Sequence, residues 1–306
     1  MIIPEKIKIG DTIGVTAPSN PIIGDNIQEI EEAKKIVEGK GFKVKFSKNL
    51  FSNTNRYSST AQEKAEDINE MFKDKEVKMI WFAKGGANSN SVFEYLDYEI
   101  IRNNPKIICG YSDITSITNI ITAKTGLVTF SGTNFKTIAT DMTDYSFKEV
   151  LKRFVDGSLE IGKENEEYLT IQEGVVEGKL IGGNLNLLHG LVSGKYKVDF
   201  TDKIVFMEEL GIETDPALAN NFLYYMKQND VFDKIKGLWI GNYEHDSEIE
   251  LEKIVMDVLE NKYRFPIIKS NNFGHIENKT VIPIGTRARI DTSKERKIEL
   301  IENCVK

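Results

Sequence analysis

The chain has 306 residues, with 40 Lys and Arg against 47 Asp and Glu, so its net charge is −7 at neutral pH. At roughly 150 residues per domain this length suggests two domains, and a composition 40% hydrophobic and 28% charged excludes a disordered chain. The acidic balance excludes non-specific binding to a nucleic-acid backbone, which needs a cationic surface.

The first residues, MIIPEKIKIGDTIGVTAPS, hold no apolar stretch of signal-peptide length. No later run approaches the ~20 apolar residues that span a bilayer. Two cysteines far apart make no disulfide framework. These features lead to the expectation of a cytoplasmic protein with no membrane and no nucleic-acid partner.

In chain order, short apolar runs predict strands at 12–17, 43–46, 77–83, 106–109 and 127–130. Helical periods lie between them at 26–38, 61–72, 91–96 and 113–124. Near-continuous apolar strands, each followed by a helix, predict a parallel sheet covered on both faces. The polar, acidic stretch 157–167 reads as a connector. Beyond it, 167–181 alternates as paired short strands, and Gly182-Gly183-Asn184 is expected to open an apolar helix through Val192. A strand at 204–207, a helix from Asp215 with Pro216 at its first position, a strand at 237–242 and a helix at 247–261 follow. Strands at 280–283, 287–291 and 298–301 close the chain, with KERK (294–297) as a turn. The fold class expected is α/β: an N-terminal three-layer domain (1–160), then a strand-rich α/β domain (168–306), with the active site between them.

In such sheets the working residues lie just past the carboxyl ends of the strands, here 17–21, 84–90 and 110–113. In KIICGYSDIT, Ser112 follows an apolar strand and precedes a helix. It reads either as an exposed nucleophile with an oxyanion donor in the next N–H, or as a cap of the helix. The turn Lys84-Gly85-Gly86-Ala87-Asn88 is either a tight glycine turn or a nest of N–H groups for an anion. His189 lies on an apolar helix and reads as packing or as support behind a site residue; His245 sits among acidic residues at a helix start, in an exposed or capping role. His275 lies in a glycine-flanked loop, free to face a cleft. Glu208 ends an apolar strand, either as a surface carboxylate or as one that holds a histidine tautomer. Cys109, within an apolar strand where a free cysteine is usually a small buried hydrophobe, is set aside as a nucleophile. The two tryptophans, Trp81 and Trp239, lie in apolar strands.

Seven segments in register resemble the serine peptidase family of LD-carboxypeptidases and microcin C immunity peptidases: GDTIGVTAPS, KGGANSN, LDY, NPKIICGYSDIT, EGKLIGGNLNLL, VFMEE and FGH with IPIG. The resemblance implies a nucleophile at Ser112, an acid at Glu208 and a histidine at His275. It implies oxyanion donors in the N–H groups of Gly86 and Asp113, substrate contacts at Lys84 and Asn88, a homodimer, and no metal or organic cofactor. Lys84 replaces an arginine common in the family, which removes a bidentate grip on a carboxylate. The substrate implied is a small peptide-like amide. GGANSN resembles the immunity branch, which cleaves aminoacyl-nucleotide amides; a murein tetrapeptide is the alternative. The short stretch 157–170 carries Tyr168 but no tryptophan, unlike the immunity enzymes. An α/β-hydrolase esterase and a non-catalytic anion-binding module are the rival readings; against the esterase, Ile114 stands where a second glycine is expected.

Overall fold

The computed structural model describes residues 1–140, 144–162, 167–243, 245 and 249–306. Strands β1 (Thr12–Thr16), β2 (Lys43–Phe46), β3 (Val77–Phe82), β4 (Ile107–Gly110) and β5 (Thr129–Ser131) form a parallel sheet in the order β2-β1-β3-β4-β5. Strand β4 is buried throughout and β3 is buried except at Lys78, because helices cover both faces. The helix Asp25–Gly39 packs Ile30, Ala33 and Val37 on one face. The helices Ala61–Lys73 and Thr115–Thr125 pack Ile68, Phe72, Ile117 and Ile120 on the other. Ala61–Lys73 starts where Thr60 and Glu63 cap each other's free groups.

The second sheet contains β6 (Leu169–Gln172), β7 (Val175–Asn184), β8 (Lys203–Glu208), β9 (Gly237–Ile240), β10 (Ile267–Lys269), β12 (Arg287–Asp291) and β13 (Ile298–Leu300), while β11 (Ile282–Ile284) lies outside it. Its order is β13-β12-β7-β8-β9-β10-β6, with β7 to β10 parallel and the outer strands antiparallel. The α/β architecture and the strand-rich second sheet agree with the sequence reading. So do the KERK turn between β12 and β13 and the start of the helix Pro216–Gln228, where Asp215 accepts from Leu218 N–H at 2.9 Å.

Other expectations are corrected. β6 and β7 do not pair; β6 lies at the far edge on β10, and β7 lies between β12 and β8. Gly182 and Gly183 belong to β7 rather than to a helix, and the helix that follows is only Leu185–His189, capped by Asn184. The physical reason is close approach. A Cβ on Gly183 would stand 2.4 Å from Thr115 Oγ1, so glycine lets β7 pass the start of the helix Thr115–Thr125. The segments expected as helix at 91–96 and 113–124 begin as 3₁₀ turns, Ser89–Glu94 and Ser112–Ile114. The helix expected from Ser247 is described as Leu251–Leu259, and Ser247 lies outside the described residues.

Strand β11 leaves the second half of the chain and adds antiparallel to β5, the edge of the first sheet. The chain returns at once as β12 on β7. The loop between β10 and β11 is therefore fastened to the second sheet at its start and to the first at its end. Among the described residues no helix is long and apolar enough to cross a membrane.

Candidate active site

The first sheet reverses its strand order between β1 and β3, and the loops after β1, β3 and β4 converge at that point, where open α/β sheets place their ligands. Gly110 ends β4, and Ser112 then adopts φ 64°, a left-handed conformation in a residue with a side chain. Such a backbone costs roughly 1–3 kcal/mol and persists where surrounding contacts impose it. The Ser112 hydroxyl caps neither helical segment that follows it. It faces His275, with Oγ 3.2 Å from Nε2.

His275 lies on the β10–β11 loop. Phe273, two residues earlier, anchors that loop against Trp239 and Phe206, with ring centroids at 4.6 and 5.8 Å. The other imidazole nitrogen, Nδ1, is 2.8 Å from Glu208 Oε2 at the end of β8. A carboxylate only accepts, so Nδ1 carries the proton and Nε2 is left to accept from Ser112. Burial pushes the His275 pKa down, but the charge and hydrogen bond of Glu208, with Glu209 behind it, outweigh burial and raise it. Lys279 opposes that rise. The Tyr111 ring lies against the imidazole at 5.1 Å between centroids.

In a continued strand Glu208 and Glu209 would point opposite ways. Because β8 ends at Glu208, both are buried on one network. Asn184, at the end of β7, donates to Glu209 Oε1 at 2.8 Å and to Glu208 Oε1 at 3.3 Å. Glu209 also accepts from the N–H groups of Asn186 and Leu210, both at 2.8 Å. Burial, then the neighbouring Glu208 charge, pushes the Glu209 carboxyl upward. Sequence patterning did not single out Asn184 or Glu209 as site residues. The only signal for Asn184 was its place after two glycines.

Opposite Ser112 runs the turn after β3. A Cβ on Gly85 would come within 3.0 Å of Ser112 Cβ, and Gly86 has φ +135° with its free face against Asn20. Glycine is thus needed at Gly85 by the nearness of the serine and at Gly86 by conformation. Among the described residues neither Gly86 N–H nor Asp113 N–H has a protein acceptor. The Asp113 carboxylate points away from the cleft and accepts from Ser19 Oγ at 2.5 Å and Ser89 N–H at 2.9 Å. Lys84 Nζ donates to Asn26 Oδ1 at 2.9 Å, and burial lowers its pKa. The amide oxygen of Asn88 accepts from Lys64.

The structure brings Ser112, His275, Glu208, Gly86 and Asp113 to one place and sets Lys84 and Asn88 on the bordering turn. His189 stacks on Phe222 at 4.3 Å and is a packing residue, as expected. His245 is half-buried and lines a cavity of about 310 Å³ with His275, Glu209, Leu210, Gly211, Ile212 and Asn242. Cys109 is fully buried and burial raises its pKa, which suits a packing thiol rather than a nucleophile. Trp81 and Trp239 are buried structural residues, and Tyr168 is tied to Asn272. Among the described residues no group of three His, Cys, Asp or Glu side chains is placed to hold a metal ion.

Comparison with known proteins defines the class. Residues 13–132 match the LD-carboxypeptidase N-terminal domain and residues 177–290 match the LD-carboxypeptidase C-terminal domain. The chain is 32% identical to YocD of Bacillus subtilis, named as a carboxypeptidase, over 94% of this chain and 95% of that one. It is 29% identical to a second Bacillus subtilis protein, named a probable murein peptide carboxypeptidase, over 95% and 92% of the two chains. Among solved structures, an MccF-like protein of Bacillus anthracis is 32% identical with a TM-score of 0.89, covering 99% of this chain and all of that one. The microcin C7 self-immunity protein MccF, in complex with aspartyl sulfamoyl adenosine, is 26% identical with a TM-score of 0.92 over the full length of both chains. The chain belongs to the LD-carboxypeptidase family and is a peptidase of that family.

Proposed function

We propose that this peptidase works by a serine mechanism with Ser112 as nucleophile, His275 as general base and Glu208 as the acid that orients it. The observation that carries this reading is the hydrogen-bonded series from Ser112 Oγ through the His275 ring to Glu208, drawn from three separate elements. His275 Nε2 takes the hydroxyl proton as Oγ attacks an amide carbonyl, and Glu208 stabilises the imidazolium. The N–H groups of Gly86 and Asp113 receive the oxyanion, an effect of roughly 10²–10³-fold for a donor of this kind. The proton on Nε2 passes to the leaving amine, and a water activated by the same nitrogen clears the acyl group from Ser112.

The substrate we favour is an aminoacyl-nucleotide amide. Support comes from the GGANSN turn and from the full-length likeness to MccF, solved with aspartyl sulfamoyl adenosine. A murein peptide is the second reading, supported by the relative named for that activity. Lys84, with one donor on Asn26, keeps others for a substrate carboxylate, and Asn88 keeps its amide nitrogen. Incubation with aspartyl sulfamoyl adenosine and with an L,D-linked murein tetrapeptide, followed by mass spectrometry, tests the assignment. Release of aspartate from the first is expected. Cleavage of the tetrapeptide alone reverses the order, and cleavage of neither overturns both substrates.

A further inference from the structure

Behind the turn that carries Gly86 lies a buried lysine that the serine mechanism does not use. Lys64, on the helix Ala61–Lys73, is 2% exposed. Its ammonium donates to Asn88 Oδ1 and lies 5.4 Å from the centre of the Tyr57 ring. Burial lowers its pKa and the charge of Asp113 opposes that fall. Asp113, 1% exposed, accepts from neutral donors, Ser19 Oγ and Ser89 N–H; burial raises its pKa, and the Lys64 charge is among the effects that oppose the rise. An ammonium leaves water at a cost of several kcal/mol unless it has a partner, so this placement requires a compensating role.

The two groups grip the same turn. Asp113 holds it through Ser89, whose hydroxyl also returns a hydrogen bond to the Asp113 carbonyl at 2.7 Å. Lys64 holds it through Asn88, one residue earlier. The candidate oxyanion donors sit on the two segments so joined: Gly86 N–H on the turn and Asp113 N–H beside Ser112. We propose that Lys64 is a positioning residue, which fixes the separation of these two donors by anchoring Asn88 and by balancing the buried charge of Asp113. The proposal rests on the reading of Ser112 as nucleophile and of the two N–H groups as its oxyanion hole.

The test uses a fluorophosphonate, which phosphonylates an activated serine and places its phosphoryl oxygen in the oxyanion hole. Saturation kinetics separate the labelling rate from reversible affinity, and peptide mapping locates the adduct. Lys64→Met is expected to slow labelling of Ser112 roughly 10–100-fold, the scale of a misplaced donor, with reversible affinity little changed. Adding Asp113→Asn removes the uncompensated charge and is expected to restore part of the rate, the remainder being lost with the Asn88 anchor. A loss caused only by weaker folding follows the melting temperature, so labelling is measured well below the melting transition of each variant, where such a loss disappears. Should Lys64→Met fail to fold, Lys64→Gln keeps a donor for Asn88 but not the charge, and is expected to slow labelling by a smaller factor that Asp113→Asn restores. Unchanged labelling in the Lys64 variant, or a double variant no faster than the single, overturns the proposal. An intact parent protein that is not labelled at Ser112 instead overturns the nucleophile reading, and the Lys64 role with it.

Discussion

His275 has Glu208 on one nitrogen, Glu209 behind that carboxylate and Lys279 nearby, and the net effect is a raised pKa. The base form is the unprotonated one, so the rising limb of kcat/KM against pH should lie above the ordinary histidine value. Glu208→Gln removes the charge that opposes burial; the limb should then move to lower pH while the plateau drops by roughly 10⁴-fold, as when a triad carboxylate is neutralised. A limb that stays in place would mean that another group titrates. On the glycine turn, Gly85→Ala places a methyl 3.0 Å from Ser112 Cβ. Its rate should fall at least tenfold with a much smaller change in melting temperature, since a misplaced nucleophile is felt mainly in the reaction.

The loop from β10 to β11 delivers His275, and its grip on the fold is apolar. Phe273 sits 3% exposed between Trp239 and Phe206. Phe273→Ala should cost about 3–5 kcal/mol of stability, measurable by urea denaturation, and should release His275 from Ser112. At this scale the sequence was legible where information is local. The apolar runs of β1, β3, β4, β8 and β9, and the Asp215-Pro216 helix start, are set by neighbours in the chain. Ser112 and His275 were marked by their turns, and Glu208 by its strand end. The missed or misread features depend on distant partners. Gly182 and Gly183 look like the opening of a helix until Phe206 and Thr115 crowd them. β10 is a short run ending in Lys269, a residue that sequence places at the surface but that lies buried against Glu252 at 2.6 Å. The pairing of β11 with β5 has no signal in either segment.

Across the whole molecule the two sheets do not keep separate interiors. One buried cluster joins Phe72, Ile108 and Ile117 to Met207, Leu223 and Leu238; the other joins Val15, Trp81 and Phe130 to Phe206, Trp239 and Ile284. The last residues also bond to the first, with Lys6 N–H on the Lys306 carbonyl and Lys306 N–H on the Pro4 carbonyl. Thermal unfolding should therefore be a single calorimetric transition that takes the candidate site with it, and residues 1–160 expressed alone should not fold. Two resolved transitions would contradict this.

The joined halves matter because Ser112 comes from one and His275 with Glu208 from the other. The most direct test is the turnover of one cleavable amide by the parent and by Ser112→Ala, with intact-mass analysis of the parent during turnover. The account predicts an acyl adduct on Ser112 in the parent and a loss of about 10⁴–10⁶-fold in kcat in the variant, with substrate binding retained. A Ser112→Ala protein that cleaves the amide at the parental rate would contradict it.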